Sequence, residues 1–331
     1  MKKNLKNKKY LFIVIISLVL ASIIAFCLIN KSKHNNEDDL INISKVSEDF
    51  MEEYFEKMET VVSNYDSKNM LIVTSKDKID EDYGAVEVVE GPNNQYFIQY
   101  ENSEAKENAL VNLQKNEKIT VEENIVRTLD STTYNSWGIE KMGLDKVIPI
   151  QDSKKMNDVV VAIVDSGLDE SLFNSKYPGK LAGSHNFYSD GEIDDEKGHG
   201  THIAGTIAEA TGKNVKIYVA KISGKEDASI ATEIYAINYI VRYKLADVIN
   251  LSIGGYEYSS AEAAAISAAN ANNIICVAAA GNDNTSRYHY PASHSNAISV
   301  SAVDSNNNKS SYSNYNNLID FARTWKWYIK Y

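Results

Sequence analysis

The chain has 331 residues, more than one average domain, and 44% of them are apolar, which excludes a wholly disordered protein. This length accommodates two folded units and a short additional segment. The formal net charge is −11, and because five lysines lie among the first nine residues, the rest of the chain carries −16. This acidic balance argues against nucleic acid as a partner. The two cysteines are not expected to pair, because Cys27 lies in a hydrophobic stretch near the N-terminus and Cys276 does not.

The hydrophobic N-terminal stretch predicts export. Five lysines between Lys2 and Lys9 precede an apolar run from Tyr10 to Ile29, which is long enough to cross a bilayer as one helix. The excess of lysine before the run predicts a cytoplasmic N-terminus and an extracytoplasmic bulk, either secreted or anchored in the membrane. Residues 1–30 are therefore expected to be a signal peptide or an anchor, and the lack of a small-x-small cleavage site favours the anchor.

The next segments predict a linker, a helix and a small domain. Residues 31–65 combine a polar linker with helical apolar spacing at Val46–Val62, which predicts an amphipathic surface helix. Residues 66–130 predict a small α+β domain with an isolated helix between strands. Its predicted elements are the strands Met70–Thr74, Ala85–Val89 and Tyr96–Tyr100, the helix Ser103–Leu113, and the strand Ile119–Val126.

Residues 131–322 alternate between buried strands and helices. This alternation predicts an α/β fold, a doubly wound parallel sheet covered on both faces. In such sheets ligands bind beyond the carboxyl ends of the strands. The predicted strands are Val159–Val164, Val215–Ala220, Val248–Ile253, Ile274–Ala279 and Ala297–Val303. The predicted helices are His199–Glu209, Ala231–Tyr243 and Ala261–Asn270.

Two motifs carry candidate catalytic groups. The first predicted strand of this region ends in Asp165-Ser166-Gly167, which puts a carboxylate where it can orient an imidazole. By itself this tripeptide is also typical of an ordinary turn. The second motif is the run Gly198-His199-Gly200-Thr201-His202-Ile203-Ala204-Gly205, in which His199 begins a helix and the glycines allow close backbone approach.

A metal site is an alternative interpretation of the second motif. His199 and His202 are three residues apart, and Asp194 and Asp195 lie nearby as further candidate ligands. The chain would then be a metal-dependent hydrolase. Against this, a helix start directs the two imidazoles differently and no third ligand motif follows.

Taken together, the motifs resemble those of the subtilisin family of serine proteases, peptidase family S8. Asp165 and His199 match the family's triad aspartate and histidine. The run Asn250-Leu251-Ser252-Ile253-Gly254-Gly255 resembles the strand that pairs with the substrate backbone, and Ala278-Ala279-Ala280-Gly281-Asn282 resembles the segment with the oxyanion-hole asparagine. The resemblance implies a subtilisin-like fold, incomplete at the C-terminus, and catalysis without a cofactor or metal. The residues it implies are Asp165, His199 and Asn282 for catalysis and Leu251, Ser252, Ile253 and Gly254 for substrate binding.

The resemblance extends from about Trp137 to Ala322. The preceding α+β unit resembles, more weakly, the inhibitory and folding-assisting propeptide of the family, with a separate binding domain as the alternative. The family often has a calcium loop after the histidine helix. Here Ala210-Thr211-Gly212-Lys213-Asn214 leads directly to the next strand, so no calcium site is expected there.

The family's nucleophilic serine has no counterpart in this sequence, because no Gly-Thr-Ser-x-Ala-x-Pro motif follows Asn282. The family usually continues Ala-Pro-Gly after a segment like Ile319–Ala322, whereas this chain continues Arg323-Thr324-Trp325-Lys326-Trp327-Tyr328. Reading the Trp325–Tyr328 codons one base later gives Gly, then Asn or Ser, then Gly, and suitable codons for the two preceding residues give Ala-Pro. Residues 323–331 are therefore expected to be a frameshifted tail.

The sequence thus predicts the precursor of a serine endopeptidase that is inactive in this form because the serine is missing. Its expected partners are a peptide or protein substrate, its own propeptide domain and, through the N-terminal segment, the membrane. Processing of a secreted peptide, such as a lantibiotic leader, is a narrower hypothesis by analogy. A non-catalytic pseudoprotease that binds peptides is the alternative. His185, His289 and His294 have no motif around them and are expected to be surface or loop residues.

Overall fold

The computed structural model describes residues 46–79, 83–129, 141–152, 157–225 and 227–324. The predicted signal or anchor segment (residues 1–30), residues 31–45 of the predicted linker segment, and residues 325–331 of the predicted tail (323–331) lie outside these ranges. Within them, no helix has both the length and the apolar character needed to cross a bilayer.

Helices and strands alternate along most of the described chain. The helices are α1 (Glu48–Asn64), α2 (Ser103–Leu113), α3 (Leu144–Asp152), α4 (Glu170–Lys176), α5 (His199–Ala210), α6 (Ile230–Tyr243) and α7 (Ser260–Ala271). The first nine strands are β1 (Met70–Ser75), β2 (Glu87–Gly91), β3 (Gln95–Gln99), β4 (Ile119–Glu123), β5 (Val126–Leu129), β6 (Val159–Asp165), β7 (Leu181–Asn186), β8 (Val215–Lys221) and β9 (Ala228–Ser229). The last five are β10 (Val248–Leu251), β11 (Ile253–Gly254), β12 (Ile275–Ala279), β13 (Ala297–Val303) and β14 (Phe321–Thr324).

A seven-stranded parallel sheet forms the centre of the C-terminal part of the described chain, from β6 to β14. Its strand order is β14-β13-β12-β10-β6-β8-β7, and every neighbouring pair is parallel. Strand β6 has near-continuous apolar residues because both of its faces are covered. Ala162 and Val164 pack in the same core as α6 and α7, whereas Ile163 packs with Ile203 of α5 on the opposite face. The predicted doubly wound parallel sheet is confirmed.

A second, antiparallel sheet lies in the N-terminal part of the described chain. Its strand order is β2-β3-β1-β4. Leu71 and Val73 of β1 pack with α2 on one face, and Ile72 packs with α1 on the other, as the period of two along a strand requires. The predicted boundaries of this unit at residues 66 and 130 stay a prediction.

Helix α1 joins the two sheets through one aromatic cluster. The ring of Tyr54 lies 6.0 Å from that of Phe97 in the small sheet and 6.2 Å from that of Tyr235 in α6. The Tyr235 hydroxyl also donates to the carbonyl oxygen of Phe55 at 3.3 Å. The apolar face predicted for this helix is therefore buried between two layers, and a single core extends across both.

The predicted strand Ile119–Val126 is two strands that belong to different sheets. The break falls at Asn124, whose amide donates to Ser67 O at 2.8 Å and whose Oδ1 accepts from the Ala231 N–H at 2.9 Å. The Asn124 side chain thus links the segment before β1 to a backbone N–H in the first turn of α6 that has no partner within the helix. After this link, β5 leaves the small sheet and pairs with β11 and β9.

The shared core gives a stability prediction. Phe97→Ala removes a fully buried ring and is expected to lower the free energy of unfolding by about 3–5 kcal/mol. Urea denaturation followed by circular dichroism measures the change. Val111→Ala is the matched control, because Val111 is 57% exposed and its truncation is expected to change stability by no more than about 0.5 kcal/mol. Equal midpoints for the two variants would contradict the shared core.

Candidate active site

A buried carboxylate and an imidazole meet at the carboxyl edge of the parallel sheet. Asp165 is the last residue of β6 and is fully buried, and His199 is the first residue of α5. His199 Nδ1 lies 2.6 Å from Asp165 Oδ1, which also accepts the Ser166 N–H at 2.7 Å. Because a carboxylate accepts, this contact favours the proton on Nδ1 and leaves Nε2 as the nitrogen able to take up a proton.

Two glycines permit this contact. Gly167 has φ +119°, and a Cβ on it would lie 2.3 Å from Ile193 O. A Cβ on Gly200 would lie 2.3 Å from Gly167 O and 3.3 Å from Asp165 Cβ. A side chain on Gly200 would hold the first turn of α5 away from the end of β6, and one on Gly167 would displace the backbone at Ile193 and Asp194.

A buried asparagine fixes the loop that carries Asn282. Gly281 has φ +95°, and a Cβ there would lie 2.3 Å from Asn314 Nδ2. Asn314 Oδ1 accepts the N–H groups of Asp283 at 2.9 Å and Thr285 at 3.2 Å, and Asn314 N donates to Gly281 O at 2.9 Å. The backbone is therefore held on both sides of Asn282. This loop follows β12, two strands from β6 in the parallel sheet and at the same edge.

The predicted substrate-pairing segment is already paired with a strand of the same chain. Ile253 and Gly254 form β11, which pairs antiparallel with Leu129 and Thr128 of β5. The other side of β5 pairs with β9, giving a three-stranded sheet in the order β11-β5-β9. Ser252 connects β10 to β11, and its Oγ accepts from the Asn250 amide at 2.9 Å. Leu251, the first of the residues predicted to bind substrate, pairs with Ala278 inside the parallel sheet.

Comparison with known proteins identifies the family. The model of the subtilase family, peptidase S8, matches residues 156–330. The chain belongs to the subtilase family. Over 207 residues it is 33% identical to subtilisin-like protease 2 of Pseudogymnoascus destructans. This alignment covers 60% of this chain and 51% of that protein. Over 192 residues it is 36% identical to subtilisin DY of Bacillus licheniformis, covering 54% and 67% respectively. The chain spans about half the length of the first of these relatives.

A solved structure supports the fold of this subtilase. The epidermin leader peptide processing serine protease of Staphylococcus aureus aligns with a TM-score of 0.60 and 20% identity, covering 77% of this chain and 74% of that one. This likeness concerns the fold alone. With the family match, it confirms the subtilisin-like α/β fold predicted from the sequence.

Asp195 of the subtilase organises the start of α5, a role that the sequence motifs did not indicate. Its Oδ1 accepts from the Gly198 N–H at 2.8 Å and from Ser166 Oγ at 2.7 Å. Its Oδ2 accepts from the Thr201 N–H at 2.8 Å and from Thr201 Oγ at 2.7 Å. Ser166 Oγ in turn accepts from the Gly200 N–H at 3.0 Å. Burial alone would raise the pKa of Asp195, but these donors from Thr201, Ser166 and Gly198 lower it below its ordinary value.

The candidate metal ligands have other contacts. The Asp195 carboxylate is surrounded by the four donors above, and Asp194 lies beside Lys221, whose Nζ is 3.2 Å from Asp194 Oδ1. Burial and the nearby charge of His199 lower the pKa of His202. In the ranges that the structure covers, no group of three His, Cys, Asp or Glu side chains is arranged to hold a metal ion. The metal-dependent alternative stays a prediction.

A lysine closes the far end of α5. Lys180 Nζ lies 2.8 Å from Ala208 O, 2.9 Å from Thr211 O and 3.1 Å from both Thr211 Oγ and Gly212 O. An ammonium group donates to three such oxygens at once, so it satisfies carbonyls that a helix end leaves unpaired. The same oxygens do not fit a calcium ion in addition to the lysine. The ion would lie next to the ammonium group, and the two positive charges would repel each other.

Of the three histidines outside the motifs, His289 and His294 lie in a loop, as expected, whereas His185 lies in the strand β7. His289 and His294 are buried, and His185 is half-buried with its ring stacked on Tyr239 at 4.9 Å. His294 Nε2 lies 2.6 Å from Glu262 Oε2. Burial lowers the pKa of His289, whose ring lies against Gly254. Local sequence could not indicate this, because the groups that cover these rings come from distant parts of the chain.

The Asp195 network gives a pH-dependent prediction. Asp195→Asn replaces one acceptor oxygen with an amide that faces donors, so the free energy of unfolding at about pH 7 is expected to fall by about 2 kcal/mol. The pKa of Asp195 is lowered in the folded chain from its ordinary 3.8, so its stabilisation is fully present above that pH and is lost as the pH falls through the folded pKa. Urea denaturation is expected to show a constant difference between wild type and variant at about pH 5–7 and a shrinking one below about pH 4.

The control for this prediction is Glu192→Gln, which changes an exposed carboxylate on the same loop. It is expected to alter stability by no more than about 0.5 kcal/mol at neutral pH. A difference for Asp195→Asn that persists unchanged at about pH 3 would show that the carboxylate charge does not hold the helix start.

Proposed function

We propose that this subtilase is the precursor form of a serine endopeptidase in which His199 is the general base and Asp165 orients its imidazole. The observation that supports this is the 2.6 Å contact between His199 Nδ1 and Asp165 Oδ1 at the carboxyl edge of the sheet. A buried carboxylate in this position holds one tautomer of the imidazole and stabilises the imidazolium that forms during acyl transfer. Its substrates are peptides or proteins.

The proposed reaction has two halves. His199 Nε2 takes the proton of a serine hydroxyl as the serine oxygen attacks the peptide carbonyl, and then protonates the leaving amine. Asn282 donates a hydrogen bond to the oxyanion, and a preorganised donor of this kind contributes about 10²–10³-fold in rate. Water, deprotonated by the same imidazole, then hydrolyses the acyl ester.

The serine of this reaction is not among the residues that follow Asn282 in the sequence. None of the serines after that position lies in Gly-Thr-Ser-x-Ala-x-Pro surroundings. The nucleophile of the proposed reaction therefore has to come from outside residues 283–331. The neighbouring reading frame after Ala322 is the proposed source of the missing motif.

The small α+β unit is proposed to be the propeptide of this precursor. Its sheet is followed directly by β5, and Thr128 and Leu129 of that strand pair antiparallel with β11, the segment that resembles the substrate-pairing strand. An extended peptide that adds to a sheet edge gains backbone hydrogen bonds without any particular sequence. A covalently attached strand in this position would exclude a substrate, which is what an inhibitory propeptide does.

Location and narrower substrate class are also proposals. The lysine-flanked apolar segment Tyr10–Ile29 supports an extracytoplasmic enzyme that is anchored or secreted. The structural relative from Staphylococcus aureus processes the epidermin leader peptide, as its name states, and shares the fold over most of both chains. Leader-peptide processing is therefore the narrower activity to test first.

The catalytic proposal is tested with a version of the chain read one base later after Ala322. This version is expected to cleave a fluorogenic peptide library, whereas the chain as written shows no turnover. In the shifted version, Asp165→Asn is expected to lower kcat about 10⁴-fold because the imidazole loses its orienting acceptor. His199→Ala is expected to lower it about 10⁶-fold because the base is gone.

Glu192→Gln in the shifted version is the control, since that carboxylate is exposed. If the shifted frame lacks a Gly-Thr-Ser motif, or if the folded shifted version cleaves nothing, the endopeptidase proposal fails and the pseudoprotease alternative is favoured. Full turnover by the His199→Ala variant would contradict the assigned base.

A further inference from the structure

The strand β5 carries an arginine that is completely buried. Arg127 is the largest fully buried side chain in the described part of the chain. Its Nε and Nη2 donate to the two oxygens of Glu262 at 2.9 Å and 2.8 Å, and its Nη1 donates to Glu257 O at 3.2 Å. This is the bidentate geometry that a planar guanidinium forms with a carboxylate and that a lysine cannot form.

The groups that surround Arg127 belong to the part of the chain that contains the parallel sheet. Glu233 lies in the first turn of α6 and Glu262 in the first turn of α7, where the positive ends of the helix dipoles favour negative charge. Glu262 Oε2 also contacts His294 Nε2 at 2.6 Å, so this carboxylate is held in place by a group other than the arginine. The pocket therefore does not depend on β5 for its acidic wall.

A second buried carboxyl group faces the same guanidinium. Glu233 Oε2 lies 4.0 Å from Arg127 Nε, and both Glu233 oxygens are without a hydrogen-bond partner among the described residues. Burial, followed by the charge of Glu262, raises the pKa of Glu233 well above its ordinary value. For Glu262, burial alone would raise the pKa, but the contacts with His294 and Arg127 lower it.

A glycine opens the pocket to the strand. A Cβ on Gly255 would lie 3.0 Å from Arg127 Nη1 and 3.6 Å from Val126 O. Gly255 directly follows β11, the strand that pairs with β5. Space for a long cationic side chain is therefore provided at the edge of β11 that β5 occupies.

The register defines which residue enters the pocket. Thr128 lies opposite Gly254, and Arg127 is the residue before it. Side chains alternate along a strand, so Thr128 is exposed while Arg127 is buried. A peptide that replaced β5 in the same register would put the side chain of the corresponding residue into the same pocket.

We propose that this pocket is a specificity subsite that selects arginine in peptide substrates, at the position one residue before the one opposite Gly254. Arg127 is then the chain's own occupant of the subsite. This inference rests on the proposed endopeptidase function, and it assigns to Glu262, Glu233 and Gly255 the recognition of a guanidinium. A buried carboxylate rejects neutral side chains, because they would leave its charge unpaired.

The test measures binding of peptides to the 331-residue chain with Arg127→Ala, which removes the side chain that anchors β5, so that a peptide in excess competes with that strand for the edge of β11. The probes are fluorescein-labelled Val-Arg-Thr-Leu amide and three versions with lysine, citrulline or alanine in place of arginine. Citrulline matches the shape of arginine without its charge. Fluorescence polarisation is expected to give the arginine probe a Kd at least about tenfold lower than that of each other probe. Arg127→Gln, which has a shorter and uncharged side chain, is a second receptor in case the alanine variant does not fold.

Matched variants identify the group that selects. Adding Glu262→Gln to either receptor is expected to remove the preference for arginine. Adding Glu257→Gln is expected to leave it, because Arg127 contacts the backbone oxygen of that residue. Equal binding of all four probes, no binding of the arginine probe to a folded receptor, or a preference that survives Glu262→Gln would each overturn the proposal.

Hydrolysis separates this inference from the function on which it rests. If the shifted-frame version cleaves no peptide, the endopeptidase function fails, while the ranking of the four probes in the binding assay still supports the guanidinium pocket. If it cleaves peptides with equal kcat/KM whether arginine or alanine occupies this position, the pocket has no role in specificity.

Discussion

A carboxylate without access to water is costly unless hydrogen-bond donors surround it, and this constraint acts on Asp165 at the end of the central strand β6. Its donors are its neighbour's backbone N–H and the imidazole of His199, which is 34 residues further along the chain. The first turn of α5 therefore has to lie against the end of β6. The glycines that allow this approach and the Asp195 network that holds the turn are arranged around that one contact.

The features that depend on local pattern could be predicted from the sequence. Buried apolar runs and helical spacing located β13 at Ala297–Val303 to the residue and most other elements to within two residues. The Asp165 and His199 motifs could be recognised because their roles require particular neighbours, such as the close-packed Gly200. In each case the necessary information lies within about ten residues of chain.

The features that depend on distant parts of the chain could not be predicted. Ile119–Val126 has the composition of one strand, and only the hydrogen bonds of Asn124 to Ser67 and to α6 explain why it divides. Arg127 has no motif around it, since its partner Glu262 is 135 residues away. The burial of His294 has the same origin. Charged and polar residues whose partners are remote have the appearance of surface residues in a sequence.

The ammonium of Lys180 at the far end of α5 has a consequence for how the helix responds to its surroundings. A bound ion leaves when its concentration falls, whereas an amine attached through a side chain stays at unit stoichiometry for as long as the chain is folded. The carbonyl oxygens at 208, 211 and 212 therefore keep their hydrogen-bond donor in media rich in chelators. The end of the histidine helix is in this respect independent of the mineral content of the environment.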